Sequence, residues 1–353
     1  MTAETAQTSE TAQTSETAQA SETEQALVTA PTAESAQTPA AWRGGQVLEG
    51  AWCVLAPNPS PMTLDGTNTW ILWAPGSSEC AVLDPGPLHG GHLQAVAAQI
   101  EALGLRCVRV LLSHRHLDHT EGAQHFADLV GAPIDFPGRD HPESTEPMDL
   151  GVDGLSIQGI PTPGHTSDSY CFHVPALRAL LTGDTILGRG TTVVAWPDGA
   201  IRPYFASLAT LRDLVSRDGV GVLLPGHGAP RTDAAQLIDE YAQHRHERLD
   251  QVRDVLRELG VRLDAQQANA DRSSTAGSSS DQSGIDQTDT DQFDTERDDT
   301  DPSDTDPFDI ERDALVERVV ETVYAQVPHE VWPAARLSVR AQLDYLAESD
   351  GAS

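Results

Sequence analysis

The stretch from Leu111 to His119 constrains this chain more than any other, because it places three histidines and one aspartate within six residues. It consists of Leu-Leu-Ser-His-Arg-His-Leu-Asp-His. The preceding run 107–112 is short, apolar and rich in β-branched residues, which predicts a buried strand. The segment 120–130 that follows predicts a helix. The four polar side chains should therefore lie on a loop at the carboxyl end of a strand, where open α/β sheets usually bind ligands.

The spacing of these side chains suits metal binding. In a tight loop His114 and His116 can converge on one ion, while Asp118 and His119 point elsewhere and can reach a second ion. Neutral imidazole and carboxylate groups suit Zn²⁺, and also Mn²⁺ or Fe. The alternative is a polar loop with ordinary surface histidines. It is disfavoured because three more candidate ligands follow downstream.

Each of those three candidates follows a short apolar run and a turn that contains Gly or Pro. One Pro-Gly-His taken alone is a weak signal, since it usually marks only a turn. Four such loops in one chain, in this order, are a strong joint signal for a metal site. The three residues are His165 after the run 155–160, Asp184 after 179–182, and His227 after 220–224.

The order of these seven residues resembles the metallo-β-lactamase superfamily, and within it the binuclear hydrolases that include glyoxalase II and the tRNA-processing nucleases. The β-lactamases themselves typically carry a cysteine where Asp184 stands, so lactam hydrolysis is not expected. The resemblance implies two metal ions, Zn²⁺ with Mn²⁺ or Fe as alternatives, and gives Asp118 and Asp184 a second role in orienting the nucleophile. The implied ligands are His114, His116 and His165 for the first ion, Asp118, His119 and His227 for the second, and Asp184 between them.

Three further stretches, Leu64–Leu72, Val82–Gly86 and Gly188–Val193, are similar to the β-lactamase-like endoribonuclease subfamily. Members of that subfamily carry a small C-terminal winged-helix-like domain, and Val331–Leu346 resembles its end. Few residues follow, so the β-hairpin wing is expected to be missing or reduced. The resemblance also gives four candidates for substrate contact, which are Thr67, Asn68, Thr191 and Thr192.

The resemblance implies an α/β fold, the αββα sandwich in which two sheets pack face to face with helices outside. The predicted order is a disordered repeat tail (1–44), the metallo-β-lactamase domain (45–238), a connecting helix (239–263), a disordered acidic insertion (264–309) and a small helical, reduced winged-helix-like domain (310–349). The tail repeats the hexad Thr-Ala-Gln-Thr-Ser-Glu, which has no apolar face to bury. The insertion is rich in Asp, Ser and Thr and almost lacks apolar residues.

Charge sets limits on the partners of this chain. The formal net charge is −32, and all 22 basic residues are arginine. No stretch forms a basic stripe of the kind that binds phosphates. Stable binding to DNA is therefore not expected, although an RNA could still be cleaved at a metal site that itself supplies positive charge.

The remaining features concern the compartment. The four cysteines (Cys53, Cys80, Cys107 and Cys171) each lie in or beside an apolar run and are predicted to be small buried side chains in a reducing environment. The N-terminus has neither a basic nor an apolar leader region, and no apolar run approaches the length of a membrane helix. A cytoplasmic location without membrane attachment is expected.

Three functions fit these observations. The first is a metal-dependent phosphodiesterase acting on single-stranded RNA, favoured by the subfamily stretches and the C-terminal domain. The second is a thioester or ester hydrolase similar to glyoxalase II, favoured by the same ligand set and by the acidic body. The third is a non-catalytic, metal-stabilised scaffold. It is the least favoured, since a scaffold would have no need of a complete ligand set.

Overall fold

The structure is a computed structural model that describes residues 41–142, 144, 146–263 and 307–350. Most of the predicted repeat tail (1–44) and of the predicted acidic insertion (264–309) lies outside these residues. Their predicted disorder therefore stays a prediction.

Short apolar runs form two β-sheets. The first sheet has the strand order β1-β2-β3-β4-β5-β6. Neighbours from β1 to β4 are antiparallel, whereas β5 runs parallel to both β4 and β6. Its strands are β1 Gly45–Leu48, β2 Ala51–Leu55, β3 Asn68–Leu72, β4 Glu79–Leu83, β5 Arg106–Leu111 and β6 Ile134–Asp135.

The second sheet has the order β11-β10-β9-β8-β7. Only its pair β10 and β11 is parallel, and the other neighbours are antiparallel. Its strands are β7 Met148–Asp149, β8 Gln158–Pro161, β9 Tyr170–Val174, β10 Ala179–Gly183 and β11 Val222–Pro225.

Helices cover the outer face of each sheet. α1 (Gly90–Ala102) and α3 (Ala123–Val130) pack on the first sheet, while α5 (Ile201–Asp218) and α6 (Ala234–Leu259) pack on the second. Two C-terminal helices pack against α6, and the second of them also contacts α5. The remaining helices are the short α2 Leu117–Thr120 and α4 Pro137–Asp140, the two C-terminal helices α7 Pro307–Val323 and α8 Trp332–Asp350, and single 3₁₀ turns at Pro175–Leu177 and His329–Val331.

The alternation of side chains in β3 explains the layers. Trp70 and Leu72 face the second sheet, while Ile71 faces α1 and α3, and all three are at most 1 % exposed. Successive side chains of a strand point to opposite faces, so a strand that is buried at every position, as β3 is, must be covered on both sides. The predicted αββα sandwich is confirmed.

The predicted helix over 120–130 is interrupted. The chain forms α2 and α3 instead, with Gly122 between them. The Gly122 amide donates to the Gly86 carbonyl at 2.9 Å, and a Cβ atom at Gly122 would lie 2.9 Å from that oxygen. The close approach of the Gly86 loop thus ends α2 and lets α3 start in a new position.

The C-terminal region is helical throughout its described residues. α7 begins at Pro307, three residues before the predicted start of order, and proline is well suited to a first helical turn. No strand follows α8 among the described residues. No helix in the described part of the chain is both long and apolar enough to span a membrane.

Candidate metal centre

Loops from both sheets meet at one edge of the sandwich. They leave the carboxyl ends of β5, β8, β10 and β11, and each carries part of the predicted ligand set. An isolated bridge between Thr67 and His227 joins the two sheets at this edge. The tertiary structure thus brings together residues that are more than 100 positions apart in sequence.

The first predicted ligand set forms a compact group of imidazoles. His116 Nδ1 lies 3.0 Å from His114 Nε2 and 3.0 Å from His165 Nε2. His114 is fully buried and His165 is 8 % exposed, whereas His116 lies at the surface. The group is therefore open to solvent on the side of His116.

The second predicted set is equally close. His227 Nε2 lies 3.1 Å from Asp118 Oδ2 and 3.2 Å from His119 Nε2. His119 Nε2 lies 3.4 Å from Asp118 Oδ2. Both histidines are almost completely buried, while the Asp118 side chain keeps 13 % of its surface exposed.

Asp184 lies between the two sets. Its Oδ2 is 3.2 Å from His227 Nε2 and 3.8 Å from His165 Nε2, and its Oδ1 is 3.5 Å from His119 Nε2. Asp184 Oδ1 is buried without a hydrogen-bond partner in the described structure. A carboxylate in this position can contact an ion in either set.

The donor atoms fit a pair of divalent cations. Within each of three overlapping groups of these residues, the nitrogen and oxygen donor atoms lie within 4.8 Å of one another. Buried polar atoms normally have partners, so the orphaned Asp184 oxygen indicates a place for a cation. This mixture of imidazole and carboxylate is compatible with Zn²⁺, Mn²⁺ or Fe and does not select among them.

The electrostatics of the second set are those of buried ion pairs. Burial alone would lower the pKa of His227, but Asp184 and Asp118 outweigh it and raise the pKa to about 9. Burial likewise opposes protonation of His119, yet its carboxylate neighbours raise its pKa well above the ordinary value. In the metal-free protein the positive charge of these two histidines thus balances the carboxylates, as a bound cation would.

A layer of polar groups supports the ligands from outside. His165 Nδ1 donates to the Val193 carbonyl at 2.6 Å, and His227 Nδ1 donates to the Gly66 carbonyl at 3.2 Å. Because each Nδ1 is occupied by a carbonyl, Nε2 of the same ring is the nitrogen that faces the cluster. The backbone thus fixes which ring nitrogen is available to a metal.

The predicted substrate contacts are placed unequally. The Asn68 side chain is completely buried and donates to the carbonyls of Pro225 and Gly228 at 2.9 and 2.8 Å, so it supports the His227 loop. Thr67 and Thr192 are also buried, within 3.4 Å of Asp118 Oδ2 and 3.3 Å of His165 Nδ1, respectively. Thr191 is the one candidate whose side chain is exposed.

Several other histidines lie outside this cluster. His125 and His141 are exposed, and His173 is buried in β9 with Nδ1 3.8 Å from Asp218. In α6, His246 is exposed and His244 is partly exposed. All four cysteines are buried and free, as predicted.

Two supporting residues were not clear from the sequence. Asp84 could equally have been a turn-capping aspartate, yet it contacts His119 Nδ1 at 2.9 Å. Arg245 gave no signal, because it belongs to a helix with many arginines and is the buried one among them. Its contact with the loop at Thr192 exists only in the tertiary structure.

Comparison with known proteins agrees with this geometry. Residues 62–153 and 132–227 match the family model of the metallo-beta-lactamase superfamily, and residues 316–351 match that of the beta-lactamase associated winged helix domain. The chain is 32% identical over 246 residues to a lactamase-like protein of Aspergillus niger, covering 66% of this chain and 72% of the relative.

Two further relatives and one solved structure are similar. An atrochrysone carboxyl ACP thioesterase of Aspergillus fumigatus is 34% identical over 56% of this chain and 62% of its own length. A beta-lactamase-like protein 2 homolog of Caenorhabditis elegans is 31% identical over 58% of this chain and 70% of its own. A metallo-beta-lactamase family protein from Thermus thermophilus has the same fold, with a TM-score of 0.56 at 19% identity, over 86% of this chain and 95% of the other.

Proposed function

The chain belongs to the metallo-β-lactamase superfamily and is a hydrolase, and from this premise we propose that it is a binuclear, zinc-dependent thioesterase. The observation that carries the proposal is the position of Asp184. Its two oxygens lie within 3.8 Å of His165 in the first ligand set and of His119 and His227 in the second. We therefore assign Asp184 the bridging role and the other six residues to the two ions as the sequence predicts.

The chemistry needs a polarised carbonyl and an activated water. Bound divalent ions supply both, since they act as Lewis acids and lower the pKa of water toward neutrality. We assign Asp118 and Asp184 the further task of accepting a hydrogen bond from the attacking water. Their side chains keep 13 and 11 % of their surface exposed, whereas His119 and His227 beside them are nearly inaccessible.

The surroundings of the centre suit an acyl group. Leu117, between the ligands His116 and Asp118, is 55 % exposed, and so is Leu88, whose amide donates to Glu121 at the end of α2. We propose that these two exposed leucines contact the acyl chain of the substrate. The acidic chain also disfavours long polyanionic substrates, because these bind mainly through cationic side chains. A relative named as an acyl-carrier-protein thioesterase supports the same class of substrate.

A phosphodiesterase acting on single-stranded RNA is the second candidate. It is favoured by the match of residues 316–351 to the winged helix domain that accompanies this fold. The same ligand set could activate water toward a phosphodiester. The two candidates differ in substrate and share the metal centre, so one paired assay separates them.

The test uses the full chain loaded with Zn²⁺. One arm offers S-lactoylglutathione and an acyl-coenzyme A, and the other offers a fluorescent single-stranded RNA. We expect thioester cleavage that Asp184→Ala reduces more than about 100-fold, the upper end of effects seen for residues that only support metal ligands. Asp153→Ala, which removes an exposed carboxylate outside the ligand set, is the matched control and should retain activity.

Either alternative result is informative. Cleavage of RNA alone, lost in Asp184→Ala, would replace the thioesterase by the second candidate. Activity that survives in Asp184→Ala would contradict the binuclear mechanism for both.

A further inference from the structure

α6 carries a buried cation at Arg245, which is only 4 % exposed. Its guanidinium donates to the Thr192 carbonyl oxygen, and the guanidinium carbon lies 5.3 Å from the centroid of the Tyr204 ring. Its Nε has no hydrogen-bond partner in the described part of the chain. Burying a charge without a carboxylate partner is unfavourable, so filling space in the core does not account for an arginine at this position.

The Thr192 carbonyl belongs to the peptide unit that precedes Val193. The next carbonyl, that of Val193, accepts the hydrogen bond from His165 Nδ1 at 2.6 Å. Because peptide units are planar, only the φ and ψ angles of Val193 separate the two carbonyls, so holding the first limits the positions that the second can take. Arg245 and His165 thus hold two consecutive carbonyls of one loop, and the position of either residue depends on the other.

The same face of α6 holds this loop at a second point. Tyr241 lies one turn before Arg245, and its hydroxyl accepts from the Leu187 amide at 2.9 Å. Beyond Thr192, the Trp196 amide donates to the Leu337 carbonyl of α8 at 3.2 Å. α6 and α8 therefore both hold this loop, and Arg245 binds it at the carbonyl next to the one that accepts from His165.

We infer that Arg245 is a positioning residue for the first metal site. It holds the Thr192 carbonyl so that the Val193 carbonyl accepts from His165 Nδ1, which turns His165 Nε2 toward His114 and His116. The guanidinium suits this task because its planar donors and its stacking on an aromatic ring fix its direction. The inference rests on the proposed function only in that the cluster binds metal, whatever the substrate.

Arg248 offers a matched control on the same helix. It donates to a backbone carbonyl, that of Val323, at 2.9 Å, and its guanidinium carbon lies 4.9 Å from the Tyr324 ring centroid. Arg248 thus makes the same kinds of contact as Arg245 but toward α7 and away from the metal centre. Any general effect of losing such an arginine from α6 should appear in both variants.

The experiment is a titration of the metal-free full chain with Co²⁺, followed by absorbance. His165→Ala identifies the phase that belongs to the first site. We expect Arg245→Met to raise the dissociation constant of that phase by about 10–100-fold, the usual effect of losing a residue that supports a metal ligand. The other phase should be unchanged, Arg248→Met should bind as the wild type does, and Arg245→Lys should fall between Arg245→Met and wild type.

Two results would overturn the inference. One is an unchanged first phase in folded Arg245→Met, and the other is an equal weakening in Arg245→Met and Arg248→Met. If Arg245→Met does not fold, the same comparison of the first-phase dissociation constant is made between Arg245→Lys and Arg248→Lys. A wild-type chain that binds no second Co²⁺ would refute the binuclear proposal, whereas two bound ions without thioester cleavage would refute only the substrate and leave the role of Arg245 intact.

Discussion

Asp84 Oδ2 lies 2.9 Å from His119 Nδ1, so a carboxylate outside the predicted ligand set orients a histidine within it. The same carboxylate accepts from the Ser113 amide at 2.8 Å and from the Ser113 hydroxyl at 2.7 Å. Asp84 is 1 % exposed and has a φ of 51°, a left-handed conformation that is unfavourable for aspartate and that the three contacts stabilise. This aspartate at the end of β4 is therefore a support of the metal centre as well as part of a turn.

Asp84→Asn should weaken metal binding by about 10–100-fold, because the amide cannot accept from His119 and Ser113 as a carboxylate does. The effect should be confined to the phase that His227→Ala removes in a metal titration. Asp149→Asn is the control, since the exposed Asp149 at the end of β7 accepts from the Gly151 amide and lies outside the ligand set. Equal metal affinity in the two variants would mean that Asp84 only forms the turn and does not support metal binding.

Metal loading should release protons at pH 7.5. His227, with a pKa of about 9, is protonated at that pH in the metal-free protein, and the carboxylates around His119 raise its pKa well above the ordinary value. Metal binds neutral imidazole, so a proton on either histidine must leave, and apparent affinity should rise with pH up to about pH 9. Calorimetric titration with Zn²⁺ in two buffers of different ionisation enthalpy measures the release. Heats that do not depend on the buffer would contradict these ion pairs.

Gly66→Ala should destabilise the fold near the His227 loop. Gly66 has a φ of +130°, and a Cβ atom there would lie 2.1 Å from the Ala56 carbonyl oxygen. Strain of this kind costs about 1–3 kcal/mol. Moving the Gly66 carbonyl, which accepts from His227 Nδ1, would add to that cost. Gly76→Ala is the control, because Gly76 has a φ of +84° with open space around it. Denaturant unfolding should show the larger loss for Gly66→Ala, and equal losses would mean that the close contact is relieved elsewhere.

Asn68→Ala and Thr191→Ala distinguish a residue that supports the His227 loop from one that contacts the substrate. Removing the Asn68 carboxamide takes a donor from two buried carbonyls, and while that of Pro225 keeps its hydrogen bond from Trp70 Nε1, that of Gly228 loses this donor at a cost of about 1–3 kcal/mol. Thr191 is exposed, so its loss should change stability by less than about 0.5 kcal/mol. We expect Asn68→Ala to lower the unfolding free energy and Thr191→Ala to change only KM. A stable Asn68→Ala protein with a raised KM would restore Asn68 as a substrate contact.

The sequence by itself determined the family, the sandwich fold and a candidate set of metal ligands. These follow from local patterns, in which short apolar runs end in turns and a ligand-type residue comes next, so each loop can be recognised on its own. The long helix α6, Ala234–Leu259, begins five residues before the predicted connecting helix (239–263) and ends four residues before its predicted end. The structure brings the predicted ligands within contact distance of one another, and metal titration remains the test of their roles.

Only the tertiary structure decided which residues support those ligands. Asp84, Gly66 and Val193 act through a carboxylate or a backbone carbonyl, and a carbonyl leaves no trace in residue type. Asn68 is a plausible substrate contact by sequence, yet its amide is taken up by two carbonyls more than 150 residues away. In the sequence Arg245 cannot be told from the other arginines of α6. Its burial and its contact with the loop at Thr192 depend on the tertiary structure. The physical reason is that support depends on where long-range packing places donors and acceptors, and the sequence encodes that placement only through the whole fold.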